Sequence, residues 1–136
     1  MKITIPLLAA TVSAQNARIG FPVQDQELTR GENITVMVQK PNSLTGSIEM
    51  GIAIGLASCD ARPCLPANET LGRLLYHGPF KPEFHEPRFG PYENFTVTVP
   101  RELMKGKGQL NLAHMVIVGA SAWPWLDTMQ VPVVIT

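Results

Sequence analysis

Alternation of apolar and polar residues at period two is the feature that most constrains this chain. Ile34, Val36 and Val38 alternate with Thr35, Met37 and Gln39. Ile48, Met50, Ile52, Ile54 and Leu56 alternate with Glu49, Gly51, Ala53 and Gly55. Phe95, Val97 and Val99 alternate with Asn94, Thr96 and Thr98. Leu110, Leu112, His114, Val116 and Val118 form one face of a further run, and Met129, Val131, Val133 and Ile135 close the chain. A period of two places alternate side chains on opposite faces of an extended strand, so each run predicts a strand with one buried face. Weaker strands are expected over residues 17–23 and 71–76, about seven strands in all.

The separators support this reading. Thr29-Arg30-Gly31-Glu32, Lys40-Pro41-Asn42-Ser43 and Lys105-Gly106-Lys107-Gly108 are turn-formers. The 12 prolines and 11 glycines are spread along the chain, which suits many short strands. One helical turn is expected over residues 100–104, with Pro100 at its first position. Pro132 inside the last run predicts an edge strand or a bulge, because proline donates no ladder hydrogen bond. A length of 136 residues suits a single domain. The fold expected is all-β, an immunoglobulin or fibronectin-III-like β-sandwich of about seven strands, without the distant cysteine pair of antibody domains.

Residues 1–14 differ from the rest. Lys2 is followed by an apolar stretch over residues 3–12, and Val12-Ser13-Ala14 supplies compact residues where a signal peptidase reads. This is a secretory signal pattern, cleaved after Ala14 or as late as Ala17. The mature domain then covers residues 15–136, with no further apolar run long enough for a membrane anchor. Secretion agrees with the sequons at Asn33, Asn68 and Asn94, each followed two residues on by Thr. It agrees also with the cysteine pair, Cys59 and Cys64, which in an oxidising compartment reads as a disulfide closing a short loop.

Charge excludes some functions. Eleven basic residues balance eleven acidic ones, without a basic run, so nucleic acid is not an expected partner. No metal or other cofactor is expected, since the cysteine pair lacks a second Cys or His pair at zinc spacing. His77 and His85 share a loop with Glu83 and Glu86, and His114 reads as a buried sheet histidine with one hydrogen bond. No catalytic residue is identified: there is no Gly-x-Ser-x-Gly elbow, and both cysteines are expected to be bonded. The chain is therefore not expected to be an enzyme.

Two aromatic segments are candidate partner-binding surfaces. Residues 78–92 carry Phe80, Phe84 and Phe89 among four prolines, and Trp123 and Trp125 flank Pro124 in a connection between the last two strands. Aromatic side chains supply large contact areas at low entropic cost. Each segment can equally be a cap folded onto the end of the sandwich.

Spaced motifs run through the domain in order: Gly51-Ile52-Ala53-Ile54-Gly55, Leu71-Gly72, Gly78-Pro79-Phe80, Tyr92 with Asn94-Phe95-Thr96-Val97, Val99-Pro100, Gly108-Gln109-Leu110, and His114 with Val118-Gly119-Ala120. In these the chain resembles the fungal necrosis-inducing secreted-protein effector family. The resemblance implies a protein that acts by binding, suppresses plant immunity at receptor-like kinases and their cytoplasmic partner kinases, and is associated with host cell death. It implies no catalytic residue. The alternative is a secreted module that binds cell-wall polysaccharide through the same aromatics.

Overall fold

The computed structural model describes residues 17–41 and 46–136. Eight strands are present: β1 (Arg18–Phe21), β2 (Gln26–Leu28), β3 (Asn33–Gln39), β4 (Ser47–Ser58), β5 (Arg73–Gly78), β6 (Tyr92–Thr98), β7 (Gly106–Val118) and β8 (Trp123–Ile135). They form a three-stranded sheet, β1-β3-β6, and a five-stranded sheet, β2-β8-β7-β4-β5. The N-terminal strand divides between the sheets: β1 is antiparallel to β3, and β2 is parallel to β8. This is the expected immunoglobulin-type sandwich.

The inward residues of both sheets build one core. Val36 and Val38 of β3 and Phe95 and Val97 of β6 face Ile54, Leu56, Leu110 and Leu112 of the larger sheet. Each such side chain contributes about 1.5–3 kcal/mol when fully buried. Most alternations hold: Asn94, Thr96 and Thr98 face solvent, while Phe95, Val97 and Val99 are buried.

Four expectations change in detail. The three-residue β2 is an additional strand, held by pairing with Val133, Val134 and Ile135 rather than by any pattern of its own. Residues 100–104 form a turn and no helix, because the chain has only to cross from β6 to β7 there. Pro132 causes no bulge: it pairs with Gln109 of β7, and its carbonyl, on the opposite side, accepts a hydrogen bond from Asp25 N at 2.8 Å. The Trp123–Trp125 segment is not a connection but the start of β8, paired with β7 up to Val118. The signal segment expected over residues 1–14, and part of the turn after Lys40, lie outside the described residues.

Residues 59–72, between β4 and β5, fold over the outer face of the larger sheet. Cys59 and Cys64 are disulfide-bonded there, as expected. Ala67 N donates to Gln130 Oε1 at 2.7 Å, Gln109 Nε2 to Leu65 O at 2.7 Å, and Asn111 Nδ2 to Leu71 O at 3.1 Å. The loop thereby satisfies two buried amides that no apolar cover could. Its close approach depends on Gly55, where an added Cβ would lie 2.2 Å from Leu71 O. Gly55→Ala is expected to lower stability by about 2 kcal/mol, within the usual range for overpacking. Urea denaturation checks this; an unchanged midpoint would contradict the packing described.

Candidate functional site

The two sheets differ in length. β7 and β8 have 13 residues each and β3 and β6 have 7. At about 3.3 Å per residue this is about 43 Å against about 23 Å. The larger sheet therefore overhangs the smaller one, and the overhang consists of the first residues of β4, the last of β7 and the first of β8. The β7–β8 turn at its tip uses Gly119 at φ 76° and Ala122 at φ 54°.

A bulge decides which side chains the overhang presents. The β4–β7 register shifts between Glu49 and Gly51. Glu49 pairs with Val116 and Ile52 pairs with His114, so Glu49 and Ile52 share the inner face although they are three residues apart. Strict alternation would have put Ile48 and Met50 inside; instead they are 64% and 52% exposed. A glycine inside a strand pattern is a recognised mark of a bulge, and Gly51 was the one available signal.

Turning Glu49 inward assembles a polar network at the base of the overhang. Lys40, just beyond β3, is buried and its ammonium donates to Glu49 Oε1, with Ser47 Oγ at 3.4 Å. The other Glu49 oxygen bonds His114 Nε2. His114 is fully buried, with its Nδ1 3.8 Å from Asp127 Oδ2 and without a hydrogen bond among the described residues. Asp127 Oδ1 accepts from Trp125 Nε1–H. The network thus joins the end of β3 to β4, β7 and β8, and ties one tryptophan to the sandwich. It was not legible in the sequence, apart from His114 facing the core.

Burial pushes the Glu49 carboxyl up, but hydrogen bonds from His114 and Lys40, aided by their charge, outweigh it and hold Glu49 below its ordinary value of 4.5. A depressed carboxylate stabilises the fold above its unfolded-state value, and that stability is lost as pH falls through the folded value. The urea midpoint is therefore expected to fall as pH drops below about 4.5, and Glu49→Gln to flatten that dependence. Parallel curves for both proteins would contradict this role.

The candidate binding residues separate clearly. Phe80 is 3% exposed, its ring edge-on to His114 at 5.5 Å and 6.2 Å from Phe95. It is a core residue, packed between His114 and Phe95 and so unavailable to a partner. Phe84 and Phe89 are exposed on the loop over residues 79–91, which is fastened by the Glu83–Tyr92 bridge and by His85 stacked on Tyr92 at 4.2 Å. Trp123 is 64% exposed and Trp125 47%. Register places both aromatic segments at one end of the molecule: Gly78 pairs with Ile52, Ile52 with His114, and His114 with Asp127. Leu126 and Met115, which pair across β8 and β7, add exposed apolar surface on the other face of the overhang, a feature the sequence reading missed.

The sequon asparagines are all exposed. Asn33 and Asn94 lie on the outer face of the smaller sheet, where Asn33 Oδ1 accepts from Thr98 Oγ1 at 2.7 Å and Asn94 pairs with Met37. Asn68 lies in the loop over residues 59–72. Among the described residues no group of three or more His, Cys, Asp or Glu side chains is arranged to hold a metal ion, and no helix is long and apolar enough to cross a membrane.

Among solved structures, a superoxide reductase (neelaredoxin) from Ignicoccus hospitalis and a variant of it are similar to this chain, each with a TM-score of 0.48 and 15% identity over 88% of this chain and 80% of theirs. Comparison with curated proteins gave no match. The family comparison does place the domain: residues 12–134 match the model of the Nis1 family. The chain belongs to the Nis1 family, a family of fungal effector type.

Proposed function

We propose that this protein is a secreted effector that acts by binding rather than catalysis, and that its partners are plant immune receptor-like kinases and their associated cytoplasmic kinases. In this reading it suppresses immune signalling and promotes host cell death. The supporting observation is the overhang: Trp123 and Trp125 are exposed on one face, and Ile48, Met115 and Leu126 on the other, of a sheet extension anchored by a buried network. Exposed large apolar side chains clustered at one end of a folded domain mark an interaction site, and tryptophans dominate such interfaces energetically. The sequon at Asn33, paired with Thr98, lies on the other sheet at the end away from the overhang. The direct test is saturable binding of the protein to immobilised kinase domains of plant pattern-recognition co-receptors, with unrelated kinases as controls. Selective binding supports the proposal; its absence, with the fold intact, overturns it.

One observation favours a second reading. Trp123 and Trp125 alternate on the same face of β8, paired with Val118 and Val116, and two indoles in a row make a stacking platform for sugar rings. Co-sedimentation with chitin and cellulose separates the two readings: retention by polysaccharide, abolished in Trp123→Ala, would favour a wall-binding module.

A further inference from the structure

We infer that the overhang takes its partner by strand addition: an extended, uncharged peptide segment pairs with the open edge of β8. This rests on the binding function proposed above and specifies its mode.

β8 is paired with β7 along its whole length, without a register shift. On its other side, β2 reaches only Val133, Val134 and Ile135. Among the described residues, no strand pairs with residues 123–131 on that side. The phase of the edge follows from the bonds at its end. Pro132 O accepts from Asp25 N, and Thr136 N donates to Leu28 O, so the even-numbered residues direct their backbone groups away from β7. In a regular ladder both the N–H and the C=O of a residue face the same neighbour. Leu126, Thr128 and Gln130 therefore present three N–H donors, and with Pro124 four carbonyl acceptors, along the open edge.

The edge itself identifies its occupant. Unpaired donors and acceptors alternating at strand spacing are complementary to one thing, another extended backbone. Side chains of the added strand would alternate between the tryptophan face and the face of Leu126, so both rows should be apolar or small. Asp127 is the only ionisable side chain from Trp123 to Thr136, so β8 itself offers no general attraction to a charged segment. Pro124 and Pro132 lie in phase with the open positions and lack donors, which confines pairing to the stretch between them.

Thr128→Pro removes the central donor. It stands in phase with two prolines that β8 already carries, so the fold should survive. Thr128→Val keeps the donor and is the control. The first probe is a capped nonapeptide of alternating Val and Thr with a terminal Lys at each end for solubility. It would be titrated into the labelled protein, purified as secreted by a yeast host, with amide exchange followed by NMR. In the free protein, the Leu126, Thr128 and Gln130 amides should exchange quickly and those of Trp125, Asp127 and Met129 slowly. Saturating peptide should slow the first set at least tenfold, and Thr128→Pro should weaken peptide binding at least tenfold, with Thr128→Val within twofold of the parent. Slow exchange of the three outward amides in the free protein, no saturation by the peptide, or unchanged affinity in a folded Thr128→Pro protein would each overturn the inference. The exchange measurement on the parent protein stands even if the proline variant does not fold.

The second probe is the co-receptor kinase domain. Kinase binding that survives Thr128→Pro overturns strand addition and leaves the proposed function standing. Absence of kinase binding by the parent protein overturns the proposed function, and the peptide titration then decides strand addition alone.

Discussion

Replacing Glu49 by Ala is expected to destabilise the domain by about 3 kcal/mol, the low end of what removing one partner from a buried ion pair costs. Glu49 is the hub of the network, holding Lys40 through one oxygen and His114 through the other. Without it, the Lys40 ammonium stays buried with only Ser47 Oγ at 3.4 Å, and His114 loses the partner of Nε2. The melting temperature should fall by roughly 10 °C. Much of that loss is the cost of stranded polar groups rather than the worth of the pair. Lys40→Met combined with Glu49→Leu should therefore recover only the part due to Lys40, because His114 Nε2 still lacks its partner. Urea denaturation at neutral pH measures all three proteins. A single variant within about 1 kcal/mol of the parent would show that the network is not what anchors the overhang.

The second large effect concerns binding. Trp123→Ala should weaken partner binding by about 30-fold, the equivalent of about 2 kcal/mol, and leave the fold intact. Trp123 is the cleaner probe, because its ring is the more exposed and no hydrogen bond links it to the network. Trp125→Ala should cost comparable affinity and in addition about 1 kcal/mol of stability, since it removes the donor to Asp127. Surface plasmon resonance against the kinase domains, paired with thermal denaturation, separates the two contributions. Equal affinity of parent and Trp123→Ala would place the binding surface elsewhere, and Phe84 and Phe89 would become the next residues to change.

The sequence was most informative where strands are regular. Val36 and Val38, Phe95, Val97 and Val99, and Leu110 to Val116 in steps of two all face the core as their spacing implies, because no bulge interrupts those runs. β4 shows the opposite. Its alternation is unbroken on paper, yet one extra residue beside Gly51 reverses the sides of Ile48 and Glu49. That single shift hid the exposure of Ile48 and Met50 and the buried network. β8 was cut short for a different reason. Pro124 reads as a strand breaker, but its ring nitrogen lies on the unpaired side, where a missing donor breaks no ladder bond. β2 could not have been found by pattern, since three residues carry no period and its partner is more than a hundred positions away.

The contact from Lys40 to Glu49 spans nine residues, but it exists only because β3 and β4 lie in different sheets whose ends meet there. No spacing rule encodes such a meeting. The aromatic segments are similar in kind. Composition marked them as surfaces, while their convergence at one end, and the loss of Phe80 to the core, depend on register across four strands. The family match gives a chain of fungal effector type, and the fold is an all-β sandwich with one sheet extended beyond the other.

The most direct test of that account is the binding of the protein to immobilised co-receptor kinase domains, run side by side with Trp123→Ala and with unrelated kinases. Saturable, selective binding in the micromolar range or tighter, reduced about 30-fold in the variant, is the result expected from a tryptophan-bearing overhang. No binding by a folded parent protein, or binding indifferent to Trp123, would contradict it.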